Sequence, residues 1–361
     1  MPSHNPRVPL IQRALVSTGP GVLALKPVPV PRIAPDEVLV RTVAVALNPS
    51  DYKLLDQSTT AGAISGADLA GVVVRVGSSE EAQSYLQVGD RVCGFAFGAN
   101  PGNPHNGAFA QYVAATARLC VRLPDDVSFA TAASLPMGLF TVGFIFRSLG
   151  LDMELSTTTE NGKAKEFVLV HGGGTATGTL TIQLLRRAGY KPISTCSPSS
   201  FELAKSRGAE ATFDYNSPTV CDEIREYTND SLRLVVDCIG SPETMTLCYS
   251  SIGDRGGRYA ALERYPRRLT IRRRDITHDW VYGWTIFGKE VKLAGAYYRP
   301  ELPEDRIMGE LWAEEMEKVL QSGELEPHPL DVSPGGLGVV LSKLDLLRRG
   351  KIRGKKVVVM M

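Results

Sequence analysis

Residues 168–178 read Val-Leu-Val-His-Gly-Gly-Gly-Thr-Ala-Thr-Gly, after the short apolar run Phe167-Val-Leu-Val170 and before a helical pattern over Leu180–Arg187. Consecutive glycines followed by small residues do not fill a core; they let a turn of backbone approach a ligand closely. Between a strand and a helix, such a turn suits a pyrophosphate, whose charge the helix N-terminus favours. A glycine-rich turn also occurs as a purely structural link, so its setting decides the reading.

That setting is a series of βα units. Pro192-Ile-Ser-Thr195 reads as a second strand, followed by a helix through Phe201-Glu-Leu-Ala-Lys205. Leu232–Cys238 and Arg258–Leu262 read as later strands, with a helix after Pro242. Alternation of this kind implies a parallel sheet covered by helices, an α/β nucleotide-binding architecture. A site for NAD usually carries Asp or Glu about 20 residues beyond the glycine loop, on the ribose hydroxyls. Here the second strand ends Thr195-Cys-Ser-Pro-Ser-Ser200, without an acid. Ser197 and Ser200 offer hydrogen bonds and Lys205 a positive charge to a 2′-phosphate, although each alone also serves as a helix cap or surface residue. Together with the missing carboxylate they predict NADPH.

The flanking sequence differs. Residues 1 to about 130 are β-rich: Val38–Leu47 and Gly71–Gly77 read as strands, and Val88–Gly94 as a turn into a short strand, punctuated by Gly, Pro and Asn. Ser128–Arg147 has helical character, with Pro136 starting or interrupting a turn. Met308, Trp312, Met316 and Val319 fall at helical spacing ahead of Gly323, as one core-facing stripe, and Lys356–Met360 closes the chain as a strand. The expected division is 1–135 and 301–361 as one β-rich domain, interrupted by 136–300.

Composition sets the class. With 361 residues, 43% hydrophobic, 22% charged and a formal net charge of +1, the chain reads as globular, with no global field favouring nucleic acid or membrane partners. Pro and polar residues at the N-terminus and the lack of a long apolar run predict a soluble, cytoplasmic protein. Six scattered cysteines without a Cys-x-x-Cys pair read as reduced, mostly buried thiols. Five dispersed histidines give no metal-ligand spacing, and no metal is expected.

Several segments carry a resemblance: Asn48-Pro-Ser-Asp51, Gly66-Ala-Asp-Leu-Ala-Gly71, Val88-Gly-Asp-Arg-Val92 and Gly107-Ala-Phe-Ala-Gln-Tyr-Val113 resemble the quinone-reductase branch of the medium-chain dehydrogenase/reductase superfamily. Within it, His171–Thr179, Thr195–Pro198, Leu203–Glu210, Phe213-Asp-Tyr215, Thr285-Ile-Phe-Gly288 and His328-Pro-Leu330 resemble the trans-acting enoyl reductases of fungal polyketide synthases, the lovastatin-pathway type. The resemblance spans nearly the whole chain. It implies a GroES-like catalytic domain and a Rossmann-type, doubly wound domain binding NADPH. It implies that Pro49, Ser50, Asp51, Tyr52 and Lys53 meet the nicotinamide side, and that Thr175, Ala176, Thr177 and Gly178 hold the pyrophosphate. Ser197, Pro198, Ser199, Ser200 and Tyr215 would surround the adenosine phosphate, with Leu262, Gly354 and Lys355 along the cofactor. Thr141, Val142, Trp284, Thr285, Ile286 and Phe287 would line the acyl pocket, and Lys53 and Thr141 would orient the substrate or supply its proton.

The departures also inform. Zinc alcohol dehydrogenases need a cysteine near Asn48 and a histidine near Ala67, and neither is present. Mitochondrial-type enoyl reductases place a tyrosine where Ser58, Thr59 and Thr60 stand, leaving the usual proton donor unassigned. Two basic stretches, Arg264–Arg274 and Arg348–Lys356, read either as solvated surface or as a dock for the acidic acyl carrier domain of a polyketide synthase or synthase–peptide synthetase hybrid. Three functions compete: a trans-acting enoyl reductase, a stand-alone NADPH reductase of enones or quinones, and a non-catalytic NADPH-binding protein. The resemblance implies a monomer.

Overall fold

The structure, a computed structural model, describes residues 8–57, 60–155 and 166–361. The chain begins with the antiparallel hairpin β1 (Ile11–Gly19) and β2 (Val22–Pro29), then β3 (Glu37–Ala46), α1 (Pro49–Gln57), β4 (Asp68–Val76) and α2 (Glu80–Tyr85). It continues through β5 (Arg91–Phe95), β6 (Tyr112–Thr116), β7 (Val121–Arg122), α3 (Phe129–Ala133) and α4 (Pro136–Leu149). The alternating region runs β8 (Phe167–His171), α5 (Ala176–Arg187), β9 (Lys191–Cys196), α6 (Phe201–Ser206), β10 (Ala211–Asp214) and α7 (Val220–Tyr227). It ends with β11 (Leu234–Asp237), α8 (Pro242–Ser251), β12 (Gly257–Ala261) and β13 (Ile276–Trp280). The last elements are α9 (Pro303–Gln321), β14 (Leu330–Ser333), α10 (Leu337–Arg348) and β15 (Lys356–Met360).

The helical stretch expected over 128–147 is two helices. Pro136 has no amide to donate and crowds the carbonyl four residues back, so α3 stops at Ala133 and α4 starts with the proline. Ser128 caps α3 by accepting the Thr131 amide at 3.1 Å.

The chain divides into two compact units, 1–137 with 284–361, and 138–283. The boundaries expected from sequence, at 135 and 300, differ mainly at the second. Residues 284–287 pack with the first unit because Trp284 stacks on Phe97 (ring centroids 4.4 Å apart) and Phe287 lies against Phe95 (5.1 Å).

In the first unit the sheet order is β14-β15-β3-β4-β5-β7, with β6 also paired to β3. One apolar cluster (Val38, Val40, Leu69, Val73, Val92, Val113) fills the space among these strands, and a second (Leu15, Val45, Leu55, Val340, Leu344, Val357) packs α1 and α10 against the sheet. In the second unit six strands pair in parallel, in the order β10-β9-β8-β11-β12-β13. The chain runs outward from β8 through β9 to β10, then returns to β11 on the other side of β8. That reversal opens a crevice beyond the carboxyl ends of β8 and β11, where open α/β sheets bind their ligands.

Candidate functional site

The glycine-rich turn lies at this reversal. Gly172, first after β8, has φ +87°, a conformation that a side chain would strain. Gly178, in the first turn of α5, lies so close to the loop that a Cβ would stand 2.3 Å from the Gly172 carbonyl oxygen. Thr175 is the N-cap of α5: its Oγ1 accepts the Gly178 amide at 3.0 Å and donates to the Gly172 carbonyl at 2.8 Å. A cap of this kind contributes about 1 kcal/mol. The amides of Ala176 and Thr177, at the first helical positions, have no carbonyl one turn back and point out of the helix end. Ala176 and Thr177 are half-buried and Gly178 is buried.

At the end of β9, Ser197 Oγ lies 3.0 Å from Ser199 Oγ and 3.3 Å from Ser200 Oγ, with Pro198 exposed between them. Three hydroxyls therefore gather where an NAD site would hold a carboxylate. Parallel pairing sets Asp214 of β10 beside Cys196, so Tyr215 follows at the same edge, with its ring 6.2 Å from that of His171. Asp214 itself accepts from the amide and side chain of Asn216 (2.9 and 3.0 Å). Lys205 pairs with Glu202 at 3.3 Å, an exposed pair of small energetic weight. Leu262 follows β12 at the same edge, its amide donating to the Asp237 carbonyl.

Two buried groups behind the loop escaped the sequence reading. His171 lies 2.7 Å from Thr195 Oγ1 through Nδ1, and burial holds its pKa below the usual imidazole range, against the opposing pull of Asp237. Asp237 accepts from the amides of Ile239 and Gly240 (2.9 Å each), from Thr244 Oγ1 (2.7 Å) and from Tyr259 Oη (2.9 Å). A carboxylate so enclosed fixes the turn after β11.

In the first unit, Asn48 and Pro49 open α1. Asp51 Oδ2 reaches back to accept the Asn48 amide at 2.7 Å, half of a capping box. Burial pushes the Asp51 carboxyl up to about 7, helped by Asp68 and opposed by the Asn48 hydrogen bonds and by Lys356. The Asp51 side chain thus points inward and serves the helix. Of the other predicted residues here, Pro49 and Lys53 are exposed and Tyr52 is half-buried beside α10. Ser50 Oγ is buried and has no hydrogen-bond partner among the described residues. Gly354 and Lys355, just before β15, are exposed.

Below α1 lies a polar cluster that the sequence did not disclose. Asn48 Nδ2 donates to Asp68 Oδ2 at 2.8 Å. The Lys356 ammonium donates to Asn48 Oδ1 and, at 3.0 Å, to Asp68 Oδ2. The Met137 amide donates to Asp68 Oδ1 at 2.7 Å. All three side chains are buried. Lys356, read from sequence as part of a basic surface stretch, is therefore an interior residue: it opens β15, already paired in register with Leu330 of β14.

The residues expected to line an acyl pocket have varied settings. Thr141 is half-buried and Val142 fully buried in α4. Thr285 donates its hydroxyl to the buried Asp305 of α9, and Ile286 fits against Gly309, where a Cβ would stand 2.3 Å away. Both side chains are thus taken up inside the first unit. Trp284 and Phe287 instead form an aromatic cluster with Phe95 and Phe97, two residues the sequence reading passed over. Of the basic stretches, Arg273 donates to the Tyr249, Ile252 and Gly253 carbonyls and pairs with Asp275, Arg348 pairs with Asp56, and Arg349 pairs with Asp345. Arg268, Arg272, Arg274, Lys351, Arg353 and Lys355 remain exposed.

Two family models match the chain: the alcohol dehydrogenase GroES-like domain over residues 34–125, and the zinc-binding dehydrogenase domain over residues 176–293. The chain is 45% identical, over 99% of its length and 99% of the relative's, to the trans-enoyl reductase caaB of Aspergillus niger. The chain belongs to the trans-enoyl reductase family, within the medium-chain dehydrogenase/reductase superfamily. A second relative, the trans-enoyl reductase eqxC of Fusarium heterosporum, is 42% identical over 96% of this chain and 98% of its own. The CurK enoyl reductase has the same fold, with a TM-score of 0.76 at 19% identity, covering 97% of this chain and 99% of that one. A mycobacterial protein solved with NADPH aligns with a TM-score of 0.71 at 21% identity, over 97% of this chain and 100% of its own.

For this trans-enoyl reductase, a nicotinamide dinucleotide fits the residues present: a close-approaching glycine turn, a capped helix start with outward amides, and hydroxyls at the end of β9. Zinc does not fit, despite the name of the matching domain. Among the described residues no group of three or more His, Cys, Asp or Glu side chains could hold a metal ion, and the Asn48 and Asp68 oxygens are engaged by an ammonium. Also among the described residues, no helix is long and apolar enough to cross a membrane, and all six cysteines are free thiols.

Proposed function

We propose that the protein is a trans-acting, NADPH-dependent enoyl reductase of fungal secondary metabolism. Its substrate is the α,β double bond of a polyketide thioester on the acyl carrier domain of a polyketide synthase or synthase–peptide synthetase hybrid. The observation that carries this reading is near-full-length similarity, at 40–45% identity, to trans-enoyl reductases. The local chemistry agrees with it. The reading includes a monomer, as the resemblance implies, in the cytoplasm, as the polar N-terminal sequence and the lack of a long apolar run suggest.

When bound, NADPH supplies the hydride that adds to the β-carbon. The chain's own residues bind, orient and protonate. Thr175, Ala176, Thr177 and Gly178 hold the pyrophosphate through the N-terminus of α5. Ser197, Pro198, Ser199, Ser200 and Tyr215 surround the 2′-phosphate, where hydroxyls donate and a carboxylate would repel. Leu262, Gly354 and Lys355 line the cofactor. Pro49 to Lys53 serve the nicotinamide side, with Ser50 offering an unpartnered hydroxyl and Asp51 holding the helix. Lys53 and Thr141 orient the thioester carbonyl, stabilise the negative charge that develops on its oxygen, or return a proton to the α-carbon. Trp284 and Phe287 contribute apolar surface for the acyl chain, with Thr285 and Ile286 fixing the turn that presents them and Val142 packed within α4 behind Thr141. The exposed arginines and lysines at 268, 272, 274, 351, 353 and 355 steer the acidic carrier domain.

Mixing the protein with NADPH and a short enoyl-pantetheine thioester, while following nicotinamide absorbance, tests the reading. Oxidation with the thioester, faster still when the same acyl group sits on a carrier protein, is expected. Tight NADPH binding without any oxidation would mark a non-catalytic binder; equal turnover of free and carrier-bound substrate would mark a stand-alone reductase.

A further inference from the structure

The roles assigned above leave the buried pair Asp68 and Lys356 without a task. Asp68 is inaccessible to solvent, and Lys356 has only 7% of its side chain exposed, although Lys351, Arg353 and Lys355 just before it are on the surface. A charged pair taken out of water is a poor device for stability alone, because desolvation offsets most of its attraction. This pair joins three remote segments. Asn48 precedes α1, Asp68 opens β4 and Lys356 opens β15, so the bonds span 20, 288 and 308 residues of chain.

The helix above the pair needs such an anchor. Of its nine residues only Asp51 and Leu55 are buried, and the apolar contacts of α1, at Tyr52 and Leu55, lie beyond its first residues. Asn48, at the entrance to α1, donates to Asp68 and accepts from Lys356, and both Asp68 oxygens are occupied, the second by the Met137 amide at the start of α4. The network thus bears on the first turn of the helix, where Ser50 and Lys53 follow.

We propose that the Asp68–Lys356 ion pair, bridged by Asn48, is a positioning device that fixes the first turn of α1, and with it Ser50 and Lys53, against β4 and β15. Asp68 and Lys356 act through Asn48. The catalytic half of the inference rests on the enoyl-reductase reading; the structural half does not.

The test compares the full-length protein with Lys356→Met, Asp68→Asn, the double variant and Asn48→Ala. Two quantities are read: amide hydrogen exchange over residues 48–57, with residues 176–187 as control, and kcat and KM with NADPH and enoyl-pantetheine. Each single variant is expected to speed exchange at 48–57 at least tenfold and lower kcat at least tenfold. Exchange at 176–187 should stay within threefold. The double variant strands no charge but lacks the bridge, and should keep most of both losses. Wild-type exchange at 48–57 in the single variants overturns the proposal, as does a double variant restored to wild-type exchange and kcat, or faster exchange with unchanged kcat. Should the charge variants not fold, Asn48→Ala, which keeps the pair and removes the bridge, decides by the same measures. Absent turnover in the wild-type protein would defeat the enoyl-reductase reading alone, and exchange would still decide the positioning.

Discussion

Replacing Asp51 with Asn should change how stability depends on pH, in a direction fixed by the structure. The Asp51 carboxyl is enclosed, and its pKa rises from 3.8 to about 7 because burial disfavours the charge. In the unfolded chain it ionises near 4. Between these values the folded protein holds a proton that the unfolded chain has released, so stability falls as pH rises from about 4 to about 7, then levels. Each tenfold change in proton affinity is worth about 1.4 kcal/mol, which makes the full penalty on the order of 4 kcal/mol. A side-chain amide at this position would still accept the Asn48 amide through its oxygen but has nothing to ionise. The Asp51→Asn variant should therefore gain on the wild-type protein as pH rises, from near parity at about pH 4.5 to several kcal/mol at about pH 8. In a chain of this size that amounts to a melting-point difference of roughly several degrees. Thermal unfolding of both proteins without cofactor, at fixed ionic strength and in half-unit pH steps, measures it. A gap that stays constant with pH, or narrows as pH rises, would refute the reasoning.

Gly178→Ala should abolish measurable NADPH binding, read by nicotinamide fluorescence, because the added methyl meets the Gly172 carbonyl 2.3 Å away and displaces the loop. Thr175→Ala removes the cap on the Gly178 amide and should lower stability by about 1 kcal/mol in denaturant titration, with a larger loss of cofactor affinity. Ser197→Asp sets a carboxylate among the serine hydroxyls and should lower kcat/KM for NADPH at least tenfold while sparing or raising that for NADH; parallel losses with both would argue against a 2′-phosphate at Ser197. Reversing Arg268, Arg272 and Arg274 to Glu should weaken reduction of carrier-bound substrate more than of the free thioester, most clearly at low salt.

The features legible from the amino acids alone were local ones. Four of the strands and three of the helices from Phe167 to Ala261 follow from short apolar runs, prolines and glycines, and the glycine-rich turn from three glycines at a strand–helix junction, whereas β10 and α7 were not read. The absence of an acid at the end of β9 was equally legible, since it concerns a few consecutive residues. Folding settled whatever depends on residues remote in the chain. Lys356 looked like surface because its near neighbours Arg348, Arg349, Lys351, Arg353 and Lys355 are basic, yet its Nζ meets Asp68, 288 residues earlier, inside the first unit. Trp284 and Phe287 follow the nucleotide-binding stretch in sequence but pack on Phe95 and Phe97, since aromatic surface goes where the matching surface lies. Backbone propensity and turn chemistry act over a few residues and are written in order along the chain. Burial and ion pairing depend on distance in space, which only the folded chain defines.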